Sequence, residues 1–228
     1  MSFNPDPIRI SLETSASATA IIFFLGLAAA HWRMNARGKL GQFMDMAFVV
    51  PLVLPPTVVG YLLLLLLGRN GPAGRALEEF GLNVLFSWPA TVIAATVVAF
   101  PLMYLSTRGA LEQMSPRFAQ AARTLGATEW VVFWKVTLPL AWPGILAGTM
   151  LAFARALGEF GATLMLAGNI PGKTQTLPIA IFFAAEAGEM RQALAWVLIT
   201  VGISSVIIGL MNAWGRSGKP GTTAWRRA

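Results

Sequence analysis

The sequence predicts an all-α integral membrane protein with five transmembrane helices, and three observations predict it. Of 228 residues, 56% are hydrophobic and 12% charged, with a mean hydropathy of +0.64, whereas a soluble domain carries about 25% charged residues. The apolar residues gather in five runs near 10–32, 46–67, 86–107, 139–166 and 192–214. Each is long enough for a helix crossing a hydrocarbon slab of roughly 30 Å, which takes about 20 residues. The basic residues then segregate by loop. With the first loop inside, Arg33, Arg37, Lys39, Arg108, Arg117, Arg123, Lys135, Arg216, Lys219, Arg226 and Arg227 share one side. Arg9, Arg69, Arg75, Lys173 and Arg191 fall on the other, and Arg155 lies within a span. Lys and Arg collect on the cytoplasmic side of short loops, so the amino terminus is expected outside and the carboxyl terminus in the cytoplasm. The net charge of +7 follows from that topology and does not call for nucleic acid.

The first span is preceded by Asp6 and Glu13 against Arg9. That polarity is wrong for a secretory signal, although Ala28-Ala29-Ala30 resembles a cleavage site; the segment is expected to stay as a span. The chain has no cysteine, which excludes disulfides and thiolate metal sites. His31, beside Trp32, reads as an interfacial residue, so no metal site and no catalytic residue are expected.

In the second span Pro51, Pro55 and Pro56 remove donors and free the carbonyls of Ala47, Pro51 and Leu52. The expectation is a kink that shapes a gate, with Thr57 offering a hydroxyl; a purely structural bend fits the same residues. The external loop that follows carries Arg69, Arg75, Glu78 and Glu79.

After the third span comes a polar insertion, 116–138, in which Phe118, Ala121, Ala122 and Leu125 recur at helix-face spacing. Gly126 permits a turn that a Cβ would resist. A second short helix is expected over 128–135, with Pro139 opening the fourth span at its first turn. Two short helices meeting at a glycine make a projecting knob with Arg123 as a rim charge. An amphipathic helix lying on anionic lipid is the competing reading.

The fourth span is crowded with small residues, among them Gly144, Ala147, Gly148, Ala152, Gly158 and Gly161, which let helices approach closely. It also holds Arg155 and Glu159, an i, i+4 pair of opposite charges at membrane depth, where ionisable residues are functional candidates. At 1.5 Å per residue they lie roughly 24 and 30 Å from Pro139, toward the outer end. The loop 168–174 imitates a phosphate-binding loop. It is one residue short, with Ala167 where the first glycine belongs and Pro171 removing an amide, so the chain is not expected to bind ATP. Phe182-Phe183 suggests a short external helix within 178–189 before the last span.

The spacing Gln120-Ala121-Ala122, three residues, Gly126, nine residues, Val136-Thr137-Leu138-Pro139 resembles the signature of permease subunits of bacterial ABC importers of the binding-protein-dependent type I family. Gln120 replaces the usual Glu and Val136 the usual Ile. The blocks 51–61, 153–163 and 169–172, with Thr174, Thr176 and Pro178, are similar to molybdate importer permeases in particular. Sulfate permeases share the block 153–163 and part of the block that begins at 169, and usually carry a further amino-terminal helix.

The resemblance implies that Gln120, Ala121, Ala122, Arg123, Leu125 and Gly126 form the coupling helix for an ABC ATPase. It implies a second copy of the chain, two ATPase subunits holding ATP and Mg, and an external or periplasmic molybdate-binding protein. No cofactor is expected on this chain, which would reside in the inner membrane with its pathway between the two copies. Pro55, Pro56, Thr57, Arg155 and Glu159 are its pathway or gate candidates. The rivals are the same machine carrying sulfate or tungstate, a secondary transporter, disfavoured by the absence of an evident repeat between halves, and a membrane-embedded enzyme, which would need carboxylate or histidine clusters.

Overall fold

Proline marks where most of the helices start. In the computed structural model, which describes residues 4–36, 38–81 and 83–217, α1 (Asp6–Asn35), α3 (Pro56–Leu67), α4 (Pro72–Glu79), α5 (Trp88–Glu112), α6 (Pro116–Thr124) and α10 (Leu177–Glu186) each have Pro in the first turn. There the missing N–H belongs to a group without an intrahelical partner anyway, and the fixed φ suits the helix. The remaining helices are α2 (Lys39–Val53), α7 (Glu129–Val132), α8 (Leu138–Leu157), α9 (Gly161–Ala167) and α11 (Met190–Ser217).

The core is a three-helix packing of α1, α5 and α8, built on Ala18, Ile22, Ala95, Ala99, Met103 and Ile145. Small residues set its tightness. A Cβ on Gly144 would stand 2.5 Å from the Ala110 Cβ, and one on Gly148 would stand 2.6 Å from the Ser106 Cβ. In lipid such close approach gives helices the dispersion contacts that hold them together.

Chain direction follows from shared neighbours. His31 and Met34 at the end of α1 line the same cleft as Leu111 and Glu112 at the end of α5, so the two helices run the same way. The segment α2–α4 must therefore carry the chain back across the bundle once. This end, with Arg33, Lys39 and Arg108, is called the basic end below. At the opposite end Leu177, Ala180 and Trp196 form a small cluster with Ile8, from which α11 runs back.

Four helical runs are long and apolar enough to cross a membrane: Asp6–Met34, Trp88–Glu112, Glu129–Leu157 and Met190–Leu210. The expected second span, 46–67, is not one helix. It is α2 and α3, set at 118° to one another. The reason is local: a residue before proline is pushed out of the α region, and both Leu54 (φ −70, ψ 143) and Pro55 (φ −54, ψ 136) are extended.

The expected fourth span, 139–166, also needs correction. It begins earlier, because α7, a π turn at Phe133–Thr137 and α8 run on without interruption, so the second knob helix is the root of the span and Pro139 lies inside it. It stops sooner, at Leu157, where Gly158 (φ −89, ψ 11) ends the helix and α9 starts afresh. The ten-residue α10 confirms a short helix before the last span, with Leu177, Ile179, Ala180 and Ala184 buried.

The two interruptions meet. A Cβ on Gly60 of α3 would stand 2.8 Å from the Ala162 Cα of α9, and one on Gly161 would stand 3.1 Å from the Pro56 Cβ. Replacing Gly60 by Val is therefore expected to lower stability by about 1–3 kcal/mol through overpacking against backbone. Gly109, whose nearest neighbour to an added Cβ is 3.9 Å away, is expected to accept Ala with no loss. Thermal unfolding of the detergent-solubilised protein followed by tryptophan fluorescence checks both.

Candidate functional site

The knob is built from α6, the turn at Gly126 and α7. Helix α6 ends in a Schellman motif: the Gly126 N–H donates to the Arg123 carbonyl (2.9 Å) and the Ala127 N–H to the Ala122 carbonyl (3.1 Å). Gly126 has φ +81, while an added Cβ would meet nothing within 4 Å. Glycine is demanded here by backbone conformation and not by space. Thr128 then caps α7, its hydroxyl accepting from the Val131 N–H at 3.5 Å.

Arg123 does not stand free as a rim charge. Its Nε and Nη2 donate to Glu129 Oε1 and Oε2 at 2.6 and 2.9 Å, a fork that bridges the glycine turn and fixes α6 against α7. Hydrogen bonding to Glu129 raises the Arg123 guanidinium above its ordinary pKa. With both partners solvent-exposed, the bridge is a guide to geometry more than a source of stability.

No residue of α6 is buried. Of the four residues at helix-face spacing, Phe118, Ala121 and Leu125 are exposed and Ala122 is half-buried. Gln120 is exposed too. With Leu125 at 88% and Trp130 at 71% exposure, the knob presents large apolar side chains outward, and contiguous exposed apolar surface marks interaction sites. Behind it lies a cleft of about 750 Å³ lined by Ala119, Arg123 and Trp130 of the knob and by His31, Met34, Leu111 and Glu112 of the bundle. The His31 ring packs on Phe133 with centroids 4.2 Å apart.

The basic end also holds a cluster that sequence reading missed. Asp45 of α2 takes Arg33 Nε on Oδ2 at 2.7 Å and Arg108 Nη1 on Oδ1 at 2.8 Å, and the Tyr104 hydroxyl donates to Oδ1. Arg108 also reaches Glu112 Oε1 at 2.6 Å. One carboxylate thereby ties α1, α2 and α5. Its signal in the sequence was an acid one position before a predicted span among boundary arginines.

At the far end of α8 the expected Arg155–Glu159 pair forms, with Nη2 2.8 Å from Oε2. Its setting differs from an i, i+4 pair within a helix, because Glu159 lies beyond the helix end. The carboxylate is 1% exposed, and its Oε1 accepts from the Ala162 N–H at 2.8 Å. It thus satisfies a free donor at the start of α9 and complements the helix dipole. The approach of Arg155 lacks hydrogen-bonding geometry, leaving Oε2 with a charge partner only.

Pro56 and Thr57 join this region through Gly161, whose Cβ would stand 3.2 Å from the Thr57 N. Pro55 and Thr57 are exposed. The proline break and the start of α9, two residues beyond Glu159, are therefore neighbours.

In the loop 168–174 the amides of Lys173, Thr174 and Gln175 all donate to the Ile170 carbonyl at 2.9–3.2 Å, and the Ile170 N–H donates to the Thr174 hydroxyl at 3.1 Å. These donors are turned on the loop itself, and no helix follows until Leu177.

A broken-helix membrane bundle with a two-helix knob at its basic end is the architecture of a type I ABC importer permease. Residues 22–216 match the family described as the binding-protein-dependent transport system inner membrane component, and the chain belongs to that family. Among its relatives, the putative molybdenum transport system permease protein YvgM of Bacillus subtilis (strain 168) is 45% identical over 203 residues, 89% of each chain. The molybdenum transport system permease protein ModB of Haemophilus influenzae is 43% identical over 209 residues, 90% of this chain and 91% of that one. The sulfate transport system permease protein CysW of Synechococcus elongatus is 34% identical over 206 residues, 90% and 72%. The crystal structure of a bacterial ABC transporter importing the acidic polysaccharide alginate superposes with a TM-score of 0.78 at 17% identity, covering 94% of this chain and 79% of that one. It shares the fold.

Removing Arg155 alone leaves a buried carboxylate without its cation, which costs about 3–5 kcal/mol, whereas replacing both charges is far milder. Arg155→Gln is expected to lower the unfolding temperature clearly and Arg155→Gln with Glu159→Gln to recover most of the loss. A double-mutant cycle in thermal unfolding measures the coupling.

Proposed function

We propose that this chain is the membrane-spanning subunit of an ATP-driven importer that carries molybdate across the cytoplasmic membrane. Its knob, 116–138, seats a separate ATPase subunit. The observation that carries this reading is the outward apolar face of Phe118, Leu125 and Trp130 on a rigid elbow at the basic end. The excess of Lys and Arg at that end supports a cytoplasmic position for it, with the amino terminus outside. The cargo assignment is supported by relatives of 45% and 43% identity named for molybdenum transport, against 34% for one named for sulfate.

In this mechanism two copies of the chain form the pathway between them, each docking one ATPase. ATP and Mg are held by the ATPases and not by this chain; the internally bonded loop 168–174 supports that division. ATP binding draws the two knobs together and turns the pathway outward, where an external binding protein delivers the oxyanion, and hydrolysis resets it. Gln120, Ala121, Ala122, Arg123, Leu125 and Gly126 form the coupling surface. Pro55, Pro56 and Thr57, together with Arg155 and Glu159, shape the gate.

Two measurements test the reading. Radiolabelled molybdate uptake into proteoliposomes containing the full complex is expected to be ATP-dependent and competed by tungstate more strongly than by sulfate; stronger competition by sulfate would reassign the cargo. A β-branched residue in the left-handed region costs about 1–2 kcal/mol, so Gly126→Val is expected to weaken ATPase binding about tenfold in co-purification and titration. Unchanged binding would remove the knob from the docking surface.

A further inference from the structure

The Asp45 cluster joins two parts of the chain that the transport reading leaves mechanically separate. Glu112, which pairs with Arg108, is the last residue of α5, and α6 of the knob begins at Pro116. Asp45 sits in α2, which ends at Val53 immediately before the Leu54–Pro55 break. The network Arg33, Asp45, Arg108 and Glu112 is thus the side-chain junction between the helix leading into the knob and the helix leading to the broken span. Its two basic and two acidic groups balance.

Apolar packing alone holds α2 weakly. Phe48 lies against Phe100 and Tyr104, with ring centroids 5.4 and 5.1 Å away, but Leu40, Phe43, Met46, Val50, Leu52 and Val53 are exposed. At its start α2 comes close to α1, where a Cβ on Gly41 would stand 3.1 Å from the Arg33 Cζ. Beyond the break, α3 is pinned to α9 by the backbone approach at Gly60 and Gly161. Helix α2 is therefore held near its middle by ion pairs at Asp45 and joined at its carboxyl end to an anchored element through two extended residues. An element so mounted turns about Leu54–Pro55 when its ion-paired middle is moved, and detaching it would strand Asp45 unpaired at the membrane boundary.

From this we infer that Asp45 is a positioning residue that makes α2 follow α5, so that displacement of the knob is passed to the Pro55–Pro56 break. The inference rests on the ATP-driven transport reading and adds to it the route by which force reaches the gate. Arg33 anchors the same carboxylate to α1, which keeps α2 in register with the bundle while Arg108 supplies the link to the knob.

The test compares wild type, Asp45→Asn and Asp45→Glu in proteoliposomes containing the full complex with its ATPase and binding protein, reading ATP hydrolysis and radiolabelled molybdate uptake in parallel. Coupling energies between sites typically correspond to factors of about 5–150, so Asp45→Asn is expected to reduce uptake per ATP about tenfold while hydrolysis persists. Asp45→Glu is expected to recover most of the ratio. Uptake and hydrolysis falling in proportion, or both unchanged, overturns the inference. A Asp45→Asn chain that fails to assemble assigns Asp45 to folding and overturns it also. A wild-type complex that takes up no molybdate overturns the transport reading itself, a result distinct from any of these.

Discussion

Inside hydrocarbon every backbone donor and acceptor must find its partner within the protein, and the rest of this structure depends on how the chain breaks its helices under that constraint. The α2–α3 interruption spends a proline where an amide would go unbonded, and the Leu54 N–H still reaches the Val50 carbonyl at 3.1 Å. The α8–α9 interruption is repaired by a side chain, Glu159, which accepts from the Ala162 N–H. The two breaks lie against one another through Gly60, Gly161 and Pro56. Irregular backbone at membrane depth is tolerated where it is buried in protein or lines a cavity, and here it gathers the residues proposed for the gate.

Charge is used differently at the two ends. At the basic end, Asp45 receives two arginines and a tyrosine while remaining partly open to solvent, so the network can hold helices together at modest desolvation cost. At the other end Glu159 is almost fully enclosed beside a single arginine, where an unpaired charge would be costly. The knob's own bridge, Arg123–Glu129, is solvated and sets shape. Burial, not the identity of the residues, separates these three pairs.

Much of this was legible before any coordinates. The i, i+3, i+4, i+7 run at Phe118, Ala121, Ala122 and Leu125 and the glycine at 126 announced the knob, because helix periodicity and the left-handed turn are local properties. That the loop 168–174 falls one residue short of a phosphate-binding spacing is likewise a local property. The span limits were less legible. Hydropathy counts apolar residues and does not register that Gly158 ends one helix or that Leu54 and Pro55 turn the chain through a large angle, so 46–67 and 139–166 read as continuous. Asp45 escaped notice because its partners, Arg33 and Arg108, are 12 and 63 positions away, and no periodicity connects them.

By itself the sequence determined the membrane environment, the side on which basic residues gather, the knob and the family, since each rests on composition, short-range spacing or a contiguous motif. Only the tertiary structure decided that Arg123 is bound within the knob, that Pro56 and Thr57 lie beside Gly161, and that one carboxylate on α2 joins three helices. Those facts depend on which helix faces meet. Facing is set by packing of small residues across the bundle, a property of pairs of segments far apart in the chain.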